Sequence, residues 1–514
     1  MAVSTTHSTV PALVTSFVAA PSDEVDSAFH RLVDGVWHDG GPTGAALSAV
    51  PVLLAGLDRL PPSRQARLLV LLGLLAESEY PTAGTLTAAV AKGLERYLDL
   101  LRATDHEPLR LALLYLLSHL SADRGRILAT VGDLAVDLGD RTRLERALAD
   151  LDPARPDLGR VWPSPSIWAL DDTERDFDQG WIAALTPDQV RTNWHNDTRT
   201  VFGTSGAKAY HAAVHGQVAA VDAVVPTDRI PQPGADSRVD LFARHADALR
   251  CPNCAAGLDF STGRVVCTGC GTAFPVANGI LDLSPGERGD GDEATADLLA
   301  KLAEMPSMGL FYESVLRPNY LNIAGSNWSG TVTLPDEFAY LETHIRPVDG
   351  PVLDLAAGAG RWTAVIERTV GADRLIALDM ALPMLNVLRG RVPDVPAVQG
   401  SALRLPFGDA TLGGIVCWNA LQAFPDDAAA AIAEMGRCLR PGGSLTMMTF
   451  RWSDDPVARY FQASQYFPSR PQGHLLFGLD ELRRWLADAG LTVREITTPA
   501  TFVFLTAERT GAPA

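Results

Sequence analysis

At 514 residues the chain is too long for one hydrophobic core and divides into roughly two to four domains. Its 47% hydrophobic and 20% charged residues are ordinary for a globular protein, and a formal net charge of −18 argues against a main task of gripping nucleic-acid backbone, though it leaves room for a local basic patch. The longest apolar stretch, Leu68 to Ala76, is far short of the ~20 residues of a membrane span, and the N-terminus lacks a positive secretory region, so no membrane partner is expected and the expected compartment is cytoplasmic.

Residues 1–150 read as an α-helical domain, with breaks at Pro61-Pro62, Pro81 and Glu107-Pro108. Leu109, Leu111, Leu113, Leu114, Leu116, Leu117 and Leu120 are too densely apolar for a surface helix, so this helix is expected among neighbours. Helices of this length joined by short turns resemble HEAT-like α-solenoid repeats, and a plain bundle is the alternative. Residues 151–245 form a mixed segment and linker. Trp162, Trp168, Trp181 and Trp194 fall within it and are expected in a core rather than on a binding surface. His211 and His215 stand four apart on an expected helix. With no acid between them in the H-E-x-x-H manner, they read as ordinary helix histidines. The Pro- and Asp-rich run 223–240 reads as linker.

Four of the six cysteines crowd into 246–285 as Cys251-Pro-Asn-Cys254 and Cys267-Thr-Gly-Cys270. Each CxxC is a tight knuckle aiming two thiolates at one metal, and two knuckles complete a tetrahedral Zn²⁺ site. With all four positions cysteine, no coordination site stays open to substrate, so the zinc is expected to be structural, in a small zinc ribbon that folds separately from the C-terminal block. Cys417 and Cys438 read as buried core thiols.

The final block, 286–514, opens with the polar run Pro285–Thr295. Within it VLDLAAGAGRWT, 352–363, reads as a buried parallel strand, a tight glycine turn at Gly358 and Gly360, and a helix. Asp379 ends the next apolar run, RLIALDM, where a nucleotide-binding α/β unit places a carboxylate on ribose hydroxyls. Two cofactors fit such a unit. A nicotinamide site wants G-x-G-x-x-G, but the third position is Thr363 and an acid, Asp354, sits inside the strand.

Asp354-x-x-x-Gly358-x-Gly360 resembles motif I of the class I S-adenosylmethionine (SAM) methyltransferases. Residues 399–426 and 434–450 (EMGRCLRPGGSLTMMTF) resemble two further stretches of that family, in family order. The resemblance implies a doubly wound Rossmann-like domain with SAM across the C-terminal strand ends. It places Asp354, Ala356, Gly358 and Gly360 on the methionine side, Asp379 on the ribose and Met380 on the adenine face. Ser401 and Ala402 would lie at the adenine edge, with Trp418 and Asn419 at the end of the fourth strand. The chain departs from the pattern at Ala356, where glycine is usual, at Ser401, where an acid is usual, and at Gln422-Ala423, where two histidines are usual. A zinc ribbon before a methyltransferase resembles the bacterial rRNA guanine methyltransferases. It also resembles a group from bacteria and plant plastids with an "FYE…R-x-N" element, here Phe311-Tyr312-Glu313 and Arg317-Pro318-Asn319-Tyr320.

Candidates to contact the acceptor, and for catalysis, are Tyr312, Arg317, Tyr320 and His474. The expected activity is SAM-dependent methyl transfer to a small-molecule, peptide or carrier-bound acceptor in bacterial specialised metabolism, with residues 1–245 available to a protein partner. The alternatives are an rRNA or tRNA methyltransferase, which the acidic balance opposes, and a helical scaffold with a vestigial methyltransferase fold, which Asp354, Gly358, Gly360 and Asp379 oppose.

Overall fold

The computed structural model describes residues 9–156, 176, 179–180, 182–217, 237–261, 263–284, 312–313, 317–424, 428–464 and 476–511. Trp162, Trp168, Trp181, His474, the polar run after Ser284 and nearly all of the expected linker lie outside them. The chain groups into two compact units, one drawn from Met1–Leu170, Ile182–Asp222 and Ser453–Gly473, the other from Asp171–Trp181, Ala223–Trp452 and His474–Ala514.

The first unit is helical. Its central helix, Pro62–Glu77, is buried at every residue from Gln65 onward, on all of its faces. Glu107–Leu117, equally apolar, packs on it, and Pro187–His215 packs against both. A helix enclosed on every side lies at the centre of this helical unit. Pro187–His215 begins with a capping box between Thr186 and Gln189, carries Pro187 in its first turn, and stops at Gly216 in the left-handed conformation.

Residues 453–464 complete this bundle. Asp455 caps the helix Pro456–Ala463 by accepting from the amides of Val457 and Ala458. Its other oxygen accepts from Tyr210 Oη at 2.6 Å and pairs with His30 Nε2 at 2.9 Å, which raises the His30 pKa. Tyr460 donates to Glu77 at 2.9 Å and Tyr115 donates to its second oxygen at 2.5 Å. Burial outweighs these bonds and pushes the Glu77 carboxyl up to about 7. Gly203 and Gly206, three apart on one helix face, leave the space filled by Ser464 and Phe461, and a Cβ at either position would collide with them.

The second unit is a nine-stranded sheet with a small three-stranded one. We number its strands β1 Leu258–Asp259, β2 Val265–Cys267, β3 Ala273–Phe274, β4 Val276–Ala277, β5 Ile280–Asp282, β6 Val352–Leu355, β7 Leu375–Asp379, β8 Ala397–Gln399, β9 Leu412–Trp418, β10 Leu439–Phe450, β11 Leu491–Thr497 and β12 Phe502–Arg509. The large sheet runs β11-β12-β10-β9-β6-β7-β8-β5-β4. From β10 to β5 every pairing is parallel, and both edges close with antiparallel strands. β6 and β9 are buried at every residue, as strands covered on both faces must be. The chain winds outward from β6 through β7 to β8 and then crosses to β9, which makes the β6 end the topological switch point, where such sheets bind ligands.

The four-cysteine segment is not a separate folding unit. Its last strands, β4 and β5, extend the large sheet, with β5 pairing β8 in parallel register from Ala397↔Ile280 to Gln399↔Asp282. Cys251, Leu258, Val265 and Cys267 share one buried cluster with Leu353, Leu378, Val398 and Phe407. Apolar continuity defeats the separation expected from sequence. Cys417 and Cys438 are buried in the same cluster. Among the described residues, no helix is long and apolar enough to cross a membrane.

Candidate active site and metal centre

The turn after β6 carries three left-handed residues: Ala356 at φ 57°, Gly358 at 55° and Gly360 at 85°. Ala356 therefore departs from the glycine pattern at a backbone conformation that glycine adopts freely, which costs about 1 kcal/mol. A Cβ on Gly360 would press Leu388 at 2.9 Å. A Cβ on Gly358 would meet nothing nearer than Met384 Sδ at 3.6 Å, an ordinary van der Waals contact, so the left-handed φ and not crowding is what favours glycine there.

Asp379, at the end of β7, is 8% exposed. Its two oxygens accept from the amides of Gly358 and Ala381, each at 2.8 Å, so it fixes the turn from the neighbouring strand. Burial raises its pKa against those bonds. Asp354 lies deeper, 2% exposed, accepting from Thr363 Oγ1 at 2.6 Å, and burial pushes its carboxyl up to about 7. Thr363, which sequence marked only as a missing glycine, anchors the helix to this acid.

At the next strand ends Met380 is 61% exposed, and Leu382 and Leu403 are also exposed. Large apolar side chains left open on adjacent loops suit a flat apolar ligand. Gln399 Nε2 donates to Met380 O at 3.1 Å and ties the two ends together. Ser401 Oγ accepts from the Leu403 amide at 3.2 Å, so the hydroxyl standing where an acid is usual is used within its own turn. Ala402 is buried beside it.

Other expected residues divide. Tyr312 reaches the site. Its hydroxyl accepts from Asn419 Nδ2 at 2.7 Å, and burial raises its pKa. Asn419 follows β9 at φ 56° and is held by Gln422 Nε2, which donates to its side-chain and backbone oxygens. The Trp418 ring turns into the core, where Nε1 donates to Glu337 at 2.7 Å. Arg317 is likewise withdrawn. It is buried, pairs with Glu337 at 2.6 Å and lies 4.3 Å over the Trp362 ring, so it supports the segment and does not face an acceptor. Tyr320 packs edge-on to Phe450 at 5.4 Å, also inside.

Sequence reasoning missed Glu313. This buried acid accepts from Arg361 Nε and Nη2 at 3.1 and 3.0 Å and from Arg391 Nη1 and Nη2 at 2.6 and 3.0 Å. Arg391 Nη1 also donates to Ala359 O at 2.8 Å, so the clamp reaches the glycine turn. Its only signal was the acid beside Tyr312 in the FYE element.

The Sγ atoms of Cys251, Cys254, Cys267 and Cys270 lie within 4.8 Å of one another. The pairs Cys251–Cys270 and Cys254–Cys267 are 3.8 and 3.4 Å apart, near the ~3.8 Å edge of a tetrahedron with ~2.3 Å Zn–S bonds. The amides of Gly269 and Cys270 donate to Cys267 Sγ at 3.3 and 3.4 Å, as donors that support a thiolate ligand do. The donor set fits Zn²⁺. The rings of His211 and His215 lie tilted against one another, 4.4 Å between centroids, and gain no third ligand among the described residues.

A sheet wound about a glycine turn, with an acid on the adjoining strand and two antiparallel strands closing the far edge, defines the class I SAM-dependent methyltransferase architecture. Residues 352–443 match the family model described as a methyltransferase domain. The chain is 31% identical over 175 residues to a demethylmenaquinone methyltransferase of Mycobacterium sp., covering 31% of this chain and 72% of that protein. It is 26% identical to an uncharacterized chloroplastic methyltransferase of Arabidopsis thaliana, covering 36% of this chain and 54% of the relative, so it spans about half that protein's length. A solved geranyl diphosphate C-methyltransferase from Streptomyces coelicolor shares 15% identity over 34% of this chain and 76% of its own, with a TM-score of 0.30. The chain belongs to the SAM-dependent methyltransferases.

Proposed function

We propose that the protein methylates a small, largely apolar acceptor carrying an oxygen, nitrogen or enolic carbon. The observation that carries this is the strand-end surface beside the glycine turn, where Asp379 fixes the Gly358 amide and Met380, Leu382 and Leu403 are exposed. The demethylmenaquinone methyltransferases among the relatives support an acceptor of the quinol type. Asp379 holds the ribose, Gly358 and Gly360 admit the methionine portion, Met380 covers the adenine, and Ser401 and Ala402 border its edge. SAM supplies a methyl carbon already activated by its sulfonium, so the protein's task is alignment and exclusion of water. Tyr312, kept protonated by burial and already accepting from Asn419, has its own proton left to donate and orients an acceptor heteroatom. One structural Zn²⁺ occupies the four cysteines.

Calorimetry with S-adenosylhomocysteine (SAH), the demethylated product, tests the assignment. We expect roughly micromolar affinity, about −8 kcal/mol. Asp379→Ala weakens it by about 1.5–3 kcal/mol, and an unchanged affinity overturns the site. SAH release is then measured with reduced naphthoquinones, peptides and RNA transcripts. Turnover confined to RNA overturns the acceptor class.

A further inference from the structure

The loop 400–408, which carries Ser401 and Ala402, is held by the four-cysteine module at both of its ends. At its start, β5 pairs β8 through Gln399↔Asp282, and the Leu283 amide donates to Gln399 O at 2.9 Å. At its finish, the Arg250 amide donates to Pro406 O and the Gly408 amide to Ala248 O, each at 2.9 Å, around the Leu249↔Phe407 bridge. Arg250 is the residue before Cys251. The knuckle closes on that same backbone, with Cys251 N donating to Ala256 O at 2.8 Å and Ala255 N to Cys251 O at 2.9 Å. The position of the first thiolate and the position of the 406–408 anchor are therefore one variable.

The loop has other holds. Leu405 N donates to Glu434, and Arg437 donates to Leu405 O and Phe407 O. These act at the loop's finish, whereas β5 with Leu283 supplies the outer partner at its start. No polar layer separates the module from the loop, because Leu249, Cys251 and Val265 share a buried cluster with Val398, Ala402, Leu405 and Phe407. The small sheet itself has strands of only two and three residues, too short to persist without a crosslink at its centre.

We infer that the metal-bound four-cysteine module sets cofactor affinity, by bracing the adenine-side loop 400–408 between β5 and the Ala248–Arg250 segment. The inference rests on the proposed reading that zinc fills this site and that Ser401 and Ala402 border adenine. It assigns the zinc a role in the SAM site without a contact to SAM. Metal loss would then lower cofactor occupancy.

The test uses the full chain. Zinc content is measured by elemental analysis and SAH affinity by calorimetry, before and after stripping with a chelator and after adding zinc back. Hydrogen exchange follows 397–408 beside β9 and β10. One zinc per chain is expected. Stripping should raise the SAH Kd about tenfold, the scale of one or two lost backbone hydrogen bonds. Exchange should rise in 397–408 while β9 and β10 stay protected, and zinc should reverse both changes. Bound zinc whose removal leaves the Kd unchanged overturns the coupling and leaves the zinc reading standing. Protein that neither holds nor takes up zinc overturns both. Protection lost across the whole sheet replaces a local brace with general stabilisation. Leu258→Ala trims the module's core but keeps all four thiols, and so covers a stripped protein that precipitates. It should retain zinc, release it faster and bind SAH several-fold more weakly. Faster release with unchanged SAH affinity also overturns the proposal.

Discussion

Replacing Glu313 with alanine tests whether the segment bearing Tyr312 is fastened to the glycine turn by charge. The carboxylate takes four charge-assisted bonds from two arginines. Breaking a fully buried pair by removing one partner costs about 3–5 kcal/mol. Arg361 and Arg391 keep 16% and 18% of their side chains exposed and can rehydrate in part, so a loss of about 2–3 kcal/mol is expected. Glu313→Gln keeps the acceptor but not the charge and should lose about half as much. Because Arg391 also holds Ala359 O, the alanine variant should bind SAH about tenfold more weakly as well. Urea denaturation gives the first quantity and calorimetry the second. An alanine variant with unchanged stability and SAH affinity refutes the clamp, and a glutamine variant worse than alanine refutes its electrostatic origin.

Glu77 gives the helical unit a pH dependence. Its folded pKa of about 7 lies above the 4.5 of the free side chain. The folded state therefore keeps a proton that the unfolded state releases, and stability falls as pH rises from 4.5 through 7. The contribution has an upper bound of about 3 kcal/mol. Glu77→Gln should flatten this slope and melt higher than the wild type at pH 8, and thermal scans at pH 5 and pH 8 showing parallel slopes would remove Glu77 as the cause. Ala356→Gly relieves a left-handed alanine at some cost in chain entropy. It should raise stability by about 0.5 kcal/mol without weakening SAH binding, and a loss above ~1 kcal/mol by urea titration would mean that the Ala356 methyl packs usefully.

What was legible in the sequence is what local geometry constrains. The β6 turn needs glycines at fixed places, and the metal site needs thiolates in two knuckles, so both could be read from short windows. Orientation was less accessible. Trp418 and Asn419 are neighbours at the end of one strand, yet the first faces the core and the second the site, which only the placement of Glu337 decides. Arg317 and Tyr320 seemed free to meet an acceptor because their partners, Glu337, Trp362 and Phe450, are distant in sequence. The Glu313 clamp spans 48 and 78 positions and leaves no periodic trace. Gly203 and Gly206 did carry a signal, since two glycines three apart inside a helix mark a close approach. Nothing nearby showed that Phe461 and Ser464 would fill the space.

That last arrangement bears on how the protein is made. The helical unit is begun at the N-terminus but is completed only when Asp455, Tyr460, Phe461 and Ser464 reach His30, Glu77 and the Gly203–Gly206 notch. Between Asp222 and Ser453 the ribosome must add 231 residues, which at ~5–20 residues per second takes roughly ten to fifty seconds. Throughout that interval the nascent bundle holds a buried carboxylate lacking one of its donors and an apolar notch without its phenylalanine. The large sheet waits too, because β12, which hydrogen-bonds β10, ends at Arg509. Each unit is thus finished only after most of the other has been synthesised.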